Sequence, residues 1–192
     1  SLSPSGNQWI TSFMYLEQGS MKNKVVFYNF GLGKNDPSRV VGVFLPQELS
    51  DAMAGRVQFL DESHSVAFTD KGLFFSTRVE TSPELVKQVA LEENVRSISY
   101  SSGYAGVVTD NAQGGEPYML RIYTAQGDLV FERAFNYQYT GFDIEDDHVL
   151  LYNDSSCRVY NMKGTEKFNG TFDFTVSKVS PGRFPGTLLV MG

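Results

Sequence analysis

The chain has little of what catalysis or covalent cross-linking draws on. Its 192 residues include one cysteine, one tryptophan and two histidines. A single cysteine, Cys157, excludes an intramolecular disulfide framework and a zinc site built on cysteines. No run approaches the roughly 18 apolar residues that span a bilayer, and no signal peptide opens the sequence. Basic residues number 16 against 22 acidic ones, a net charge of −6, and they are scattered singly. Nucleic acid is therefore excluded as a partner, because binding a phosphate backbone needs clustered Lys and Arg that release counterions. The same balance argues against docking on an anionic membrane surface. There is no G-x-S-x-G elbow, and no motif ties His64 or His148 to a nucleophile or to further metal ligands.

What the sequence does have is aromatic and β-branched residues, with 15 Phe and 10 Tyr beside many Val and Thr, which favours strands over helices. It also repeats. Tyr118–Gly127, YMLRIYTAQG, aligns without gaps with Ser155–Gly164, SSCRVYNMKG, so that Leu120-Arg121-Ile122-Tyr123 lies over Cys157-Arg158-Val159-Tyr160. The following segments align too, QGDLVFERAF (126–135) over KGTEKFNGTF (163–172), with SPELVKQVAL (82–91) as an earlier copy. Upstream of each lies another hairpin: VRSISYSSGYAGVVTD (95–110) aligns with YTGFDIEDDHVLLYND (139–154), and VQFLDESHSVAFTD (57–70) is a shorter copy. Each unit is thus four strands in series, recurring near every 40 residues, the pattern of β-propeller blades.

The fold class expected is all-β, with blades of four antiparallel strands. Gly127-Asp128 and Lys163-Gly164 supply the backbone freedom of tight reversals. Unalternating runs such as Val107-Val108 and Val149-Leu150-Leu151 suit strands covered on both faces. Ser82-Pro83-Glu84 could open a helix, but repeat register predicts a strand there. One partial propeller domain is expected over 1–192, with blades at roughly 1–50, 55–92, 93–136, 137–173 and the start of another at 174–192. The segment 3–14 is expected to enter at a second strand with no first strand before it, and 174–192 to stop at a second strand. Four blades' worth of strands fits either a closed four-bladed ring or an arc of a larger propeller, and the arc is the expectation. Because the first residue is Ser rather than Met, loss of something upstream is also expected.

SPSGNQWITSF (3–13) resembles the SPDG-type turn of bacterial TolB-like propeller repeats. RIYTAQGDLVFE and RVYNMKGTEKF resemble the second hairpins of PQQ-type repeats. Over nearly its whole length, and most clearly in VVFYNFG (25–31), VQFLDESHSVAFTDKGL (57–73) and YNDSSCRVYNMKGTEKFNGTFD (152–173), the chain resembles the C-terminal half of an uncharacterised bacterial family of membrane-anchored propellers. That resemblance implies an extracytoplasmic domain tethered by an N-terminal helix absent from this chain. It carries no established activity and no site residues. With one Trp in total, docking of PQQ itself is disfavoured.

No cofactor-binding or metal-binding residue is assigned, and the catalytic residues, if any, are unknown. His64 and His148 follow the first-hairpin turns at positions where other repeats carry Tyr104 and Trp9, which marks a strand-end position rather than a ligand. The acidic turn Asp143, Glu145, Asp146, Asp147 could hold Ca²⁺ through oxygen ligands. It lacks the spacing of a recognised calcium loop, and reads as a solvated turn. Gly31-Leu32-Gly33-Lys34 lacks the spacing of a phosphate loop and is followed by Asn35. Cys157 takes the place of Leu120 and reads as a small core residue. Asn153-Asp154-Ser155 and Asn169-Gly170-Thr171 match the glycosylation pattern within repeat turns.

The function expected is a non-catalytic binding scaffold for an unidentified protein or glycan at the cell envelope. The alternative is a hydrolase or lyase with its site at the propeller channel, completed by missing blades. A purely structural module is a third reading. Exposed edge strands are expected to make the fragment prone to self-association.

Overall fold

Runs of β-branched and aromatic residues, broken every few positions by glycine, asparagine or aspartate, direct the backbone into successive hairpins. The computed structural model describes residues 1–30, 40–44, 46–79 and 82–192. Among the described residues the strand pairings with an established register are antiparallel. The chain folds as two units, one of residues 1–94 with 124–128, the other of residues 95–123 with 129–192.

In the first unit, β1 (Gln8–Glu17), β2 (Ser20–Asn29) and β3 (Val40–Phe44) form one sheet. A single helical turn, α1 (Gln47–Ser50), follows. It leads to the second sheet of β4 (Ala54–Phe59), β5 (His64–Thr69), β6 (Gly72–Val79) and β7 (Ser82–Ala90), in that spatial order. Ser82–Ala90 is thus a strand, as the repeat register predicts. Its residues lie mostly exposed on the outer strand of the sheet, so its helix-like apolar spacing buries little.

The expectation that nothing precedes the second strand at the start of the chain is corrected by the structure. The Ser1 amino group donates to the Ile10 carbonyl at 2.8 Å. Ile10 N–H donates back to the Ser1 carbonyl, and Ser3 N–H to that of Gln8, each at 2.9 Å, while Leu2 bridges Trp9. A turn closed by Gly6 N–H on the Ser3 carbonyl lets three residues act as a short first strand, too short for a periodic pattern to reveal.

The core of this unit joins Ile10, Val25, Phe27 and Phe44 of the first sheet to Val57, Phe59, Ala67 and Phe74 of the second, with Leu49 of α1 beneath them. Asn23 on β2 is 1% exposed, and among the described residues neither its amide nitrogen nor its oxygen has a hydrogen-bond partner. An unsatisfied buried amide costs about 1–3 kcal/mol. Asn23→Leu, close in volume, is expected to raise unfolding stability by about that amount. An unchanged or lower denaturation midpoint would show that the amide is solvated or paired.

In the second unit, β8 (Val95–Ser101), β9 (Tyr104–Asp110), β10 (Tyr118–Thr124) and β11 (Leu129–Phe135) form one four-stranded sheet. Then β12 (Gly141–Glu145), β13 (His148–Tyr152), β14 (Ser156–Asn161) and β15 (Glu166–Thr171) form another, and β16 (Lys178–Pro181) with β17 (Leu188–Met191) a two-stranded one. Val107, Val108, Val149, Leu150 and Leu151 are completely buried, as expected of strands covered on both faces. Val108, Leu120, Ile122, Phe142, Ile144, Val149 and Leu151 share one core. Leu150, Cys157, Val159, Val176 and Val179 form a second.

The repeat is exact enough to carry its irregularities. The last hairpin of each four-stranded sheet breaks register at an equivalent place: between Phe75 and Ser76, Ile122 and Tyr123, and Val159 and Tyr160. The β2–β3 pairing breaks likewise between Phe27 and Tyr28. A bulge there adds local twist to the outer strand. Gly127 (φ 84°) and Gly164 (φ 72°) occupy the left-handed region at aligned turns. The architecture is all-β, in antiparallel sheets of the propeller-blade type.

Candidate functional site

The second unit contains a cleft of about 650 Å³. One wall is the β12–β13 turn, where Asp146 takes φ 53°, a conformation that aspartate tolerates better than most residues. That turn presents Asp146, Asp147 and His148. A second wall is the outer strand β15, which offers Lys167 and Phe168. The third is the β16–β17 connection, residues 181–188. Gly182 N–H donates to the Thr187 carbonyl at 2.8 Å, and both the N–H and the hydroxyl of Thr187 donate to the Phe184 carbonyl, at 3.1 and 2.6 Å. Two prolines and this internal bonding set the loop's shape, so that Phe184 stands 69% exposed with Arg183 beside it. The lining thus combines two carboxylates, two cations and two phenylalanine faces.

The residues to which the sequence drew attention fall in different places. His148 reaches this cleft, with Nδ1 2.6 Å from an Asp147 carboxylate oxygen. His64 is in the first unit. Its Nδ1 lies 2.8 Å from Asp61 Oδ2, and Asp61 Oδ1 also accepts the backbone N–H groups of Ser63 and His64 at 2.8 and 2.7 Å. Burial pushes the Asp61 carboxyl up, but these hydrogen bonds outweigh it and hold the group below its ordinary value. The other ring nitrogen of His64 lies 3.4 Å from the Gln126 amide. Aspartate, turn backbone and imidazole therefore form a structural lock on the β4–β5 turn. At the equivalent positions Tyr104 packs on the core, and Trp9 stacks on Tyr28 at 5.2 Å.

The acidic cluster does not converge. Tyr152 hydroxyl donates to Asp143 at 2.9 Å. Glu145 accepts from Ser180 at 3.3 Å and pairs with Lys178 at 3.5 Å, while Asp147 turns to His148. Burial first, then the neighbouring Asp143 carboxylate, pushes the Tyr152 phenol up to about 12, so it acts as a hydrogen-bond donor. Among the described residues no group of three or more His, Cys, Asp or Glu is placed to hold a metal ion. Cys157 is fully buried, and burial pushes its thiol up to about 11, which keeps it protonated and unreactive. The Asn153 side chain donates to the Gln138 carbonyl and accepts from Ser155 and Ser156, so its amide nitrogen is engaged. Asn169 lies on the exposed β15. Gly31, Leu32, Gly33, Lys34 and Asn35 lie outside the described residues. No helix of the described residues is long and apolar enough to cross a membrane.

Lys167, Phe168, Arg183 and Phe184 escape a reading of the sequence for catalytic motifs. The available signal is PGRFPG (181–186): a loop bounded by Pro-Gly pairs, longer than the first-hairpin turns of the other repeats.

The family model described as a family of unknown function (DUF5711) matches residues 1–192. No curated protein matches the chain. Among solved structures, BBS1N in complex with ARL6DN superposes with a TM-score of 0.53 at 14% identity, over 99% of this chain and 64% of that one. A functionally unknown protein from Desulfotomaculum acetoxidans DSM 771 superposes at 0.54 and 12% identity, over 88% and 62%. The chain thus spans less than two thirds of either structure, and at such identities the likeness shows the fold alone.

Proposed function

This chain belongs to the DUF5711 family, whose function is unknown, and from that premise we propose that it is a non-catalytic binding scaffold whose cleft at 181–188 receives a segment of another protein. The observation that carries this reading is the cleft's composition. Exposed phenylalanine faces beside Arg183, Lys167 and paired carboxylates suit a partner with both apolar and charged side chains, and such loops on rigid strands are where recognition concentrates. The mixed charge favours a protein over a glycan. The resemblance to TolB-like and PQQ-type repeats of membrane-anchored propellers supports the further reading that this is an arc of an extracytoplasmic propeller, tethered to the cell membrane by an N-terminal helix.

The test is site-specific photocrosslinking in the source cells, with a photoreactive residue in place of Phe184 in the full-length protein. A discrete protein adduct is expected, reduced about tenfold when Lys167→Glu and Arg183→Glu are added, since charge reversal at an interface costs well over 1 kcal/mol. An adduct indifferent to both reversals would remove the cleft from the reading. Absence of any protein adduct, with retention on envelope glycan instead, would overturn the protein partner.

A further inference from the structure

Arg121 on β10 and Arg158 on β14 are aligned in the repeat, each followed by the apolar residue at which the last hairpin breaks register. Arg121 has a carboxylate opposite it. Glu132 on β11 is its cross-strand partner, and Arg121 Nε lies 3.4 Å from Glu132 Oε2. Its Nη1 also donates to the Thr109 hydroxyl at 3.3 Å. Opposite Arg158 stands Asn169, the aligned counterpart of Glu132, and its amide donates instead to Glu166 at 3.4 Å. The counterpart of Thr109 is Asn153, whose side chain is engaged with Gln138, Ser155 and Ser156. The second arginine thus lacks both acceptors of the first.

The surroundings of Arg158 take away water without replacing those acceptors. Its guanidinium carbon stands 4.8 Å over the Tyr137 ring, a face that attracts the charge but accepts none of the in-plane N–H groups. Arg158 Nε is buried and has no hydrogen-bond partner among the described residues, and the same is true of the Tyr160 hydroxyl. Tyr160, 1% exposed, is two residues along the strand and so on the same face. Burial pushes its phenol up and the Glu166 carboxylate adds to that, while Arg158 and Arg133 oppose both. Arg133 stands 5.0 Å over the Tyr160 ring and donates to the Gly164 carbonyl at 3.0 Å. Among the described residues neither Arg158 nor Arg133 has an ion-pair partner. The fold does not require a charge here, since the equivalent residue of the first unit is the fully buried Phe74.

We propose that Arg158 anchors a carboxylate-binding site in the second unit, taking from a ligand the acceptor that Glu132 supplies to Arg121. A guanidinium half removed from water without a counter-ion is costly, and a carboxylate matches its planar fork. Arg158 is only half-buried, which leaves a ligand an approach, and Arg133 adds a second positive charge beside it. The site is separate from the cleft. Val159 lines the cleft and packs in one core while Tyr160 packs in the other, so alternation along β14 puts Arg158 on the opposite face of the sheet.

The test follows the arginine Nε–Hε resonances of the full chain by NMR as sodium acetate replaces sodium chloride at constant ionic strength. The Arg158 resonance, assigned by its loss in Arg158→Lys, is expected to move to saturation while that of Arg121, already paired, stays. Asn169→Glu places on β15 the carboxylate that β11 carries, and is expected to weaken acetate binding about tenfold or more. Asn169 is exposed, so the fold is kept. A blocked Gly-Glu-Gly peptide is the second probe. Tighter binding than acetate assigns the site to an acidic side chain of a partner, and weaker binding to a free carboxylate; either fills the site. Movement of Arg121 and Arg158 alike, without saturation, would overturn the inference. So would saturation by inorganic phosphate without any by acetate or the peptide, or acetate binding that Asn169→Glu leaves unchanged. None of these readings involves Phe184, so failure of this site and failure of the cleft reading are told apart.

Discussion

Gly72→Ala is expected to lower the stability of the first unit by about 3 kcal/mol or more. Gly72 opens β6 with φ 142°, a region of backbone space essentially closed to residues with a Cβ. Its hydrogen stands where a methyl group would lie on the carbonyl oxygen of Val89 and 3.1 Å from the Ala90 Cα. Both obstacles are backbone of β7, which pairs with β6 through Gly72 and Ala90, so no side-chain rotation relieves them. The turn is fixed from other directions as well. Thr69 hydroxyl donates to the Gly72 carbonyl at 2.8 Å, and Leu91 N–H to that of Lys71 at 3.2 Å. Relief requires parting β6 from β7 at the end where their ladder begins. Gly103→Ala provides the comparison: that glycine has φ 84° and open space around its Cα, so only the conformational penalty of about 1 kcal/mol applies. Denaturant unfolding of both variants decides the matter. Equal losses would mean that the close approach of β7 contributes nothing.

The four-strand repeat was legible because it is written twice, once in composition and once in register. Leu120 over Cys157 and Gly127 over Gly164 are positions that the structure treats alike, down to the bulges beside Ile122 and Val159. Local competition could also be settled: helix-like spacing in Ser82–Ala90 yielded to the pairing of β6 with β7. What stayed hidden was either too short or not local. Ser1–Ser3 bonds as a strand through three residues, and α1 is one turn; neither length holds a period. Burial of Asn23 depends on what covers the β2 face, and an isolated asparagine in a strand carries no sign of that. The cleft draws on three separate turns and strands, so Lys167 and Arg183 stand beside Asp147 only once the sheets have formed. The acidic run misled in the opposite sense. Adjacent carboxylates suggested a common ligand, but strand alternation and a left-handed Asp146 send them to Tyr152, Ser180 and His148.

Phe74→Ala is expected to cost the first unit about 3–5 kcal/mol, the range for deleting a fully buried phenylalanine side chain. Phe74 is 0% exposed and shares a core with Ile10, Val25 and Phe27 of one sheet and Val57, Phe59 and Ala67 of the other. Its neighbour across the strand pair is Ala67, too small to expand into the space a lost ring leaves. Phe27 and Phe59 meet edge to face at 6.1 Å, a geometry that collapse around a void would disturb. Both facts place the site near the upper end of the range, since the cost rises with the volume that cannot be refilled. Phe74→Leu keeps most of the volume and is expected to cost less than half as much. Native domains are stable by only about 5–15 kcal/mol, so the alanine variant should show a large drop in unfolding midpoint while the leucine variant remains folded. A loss under about 1 kcal/mol for Phe74→Ala would show that the two sheets of this unit are not held together by a shared core, and that hydrogen bonding within each hairpin carries the fold instead.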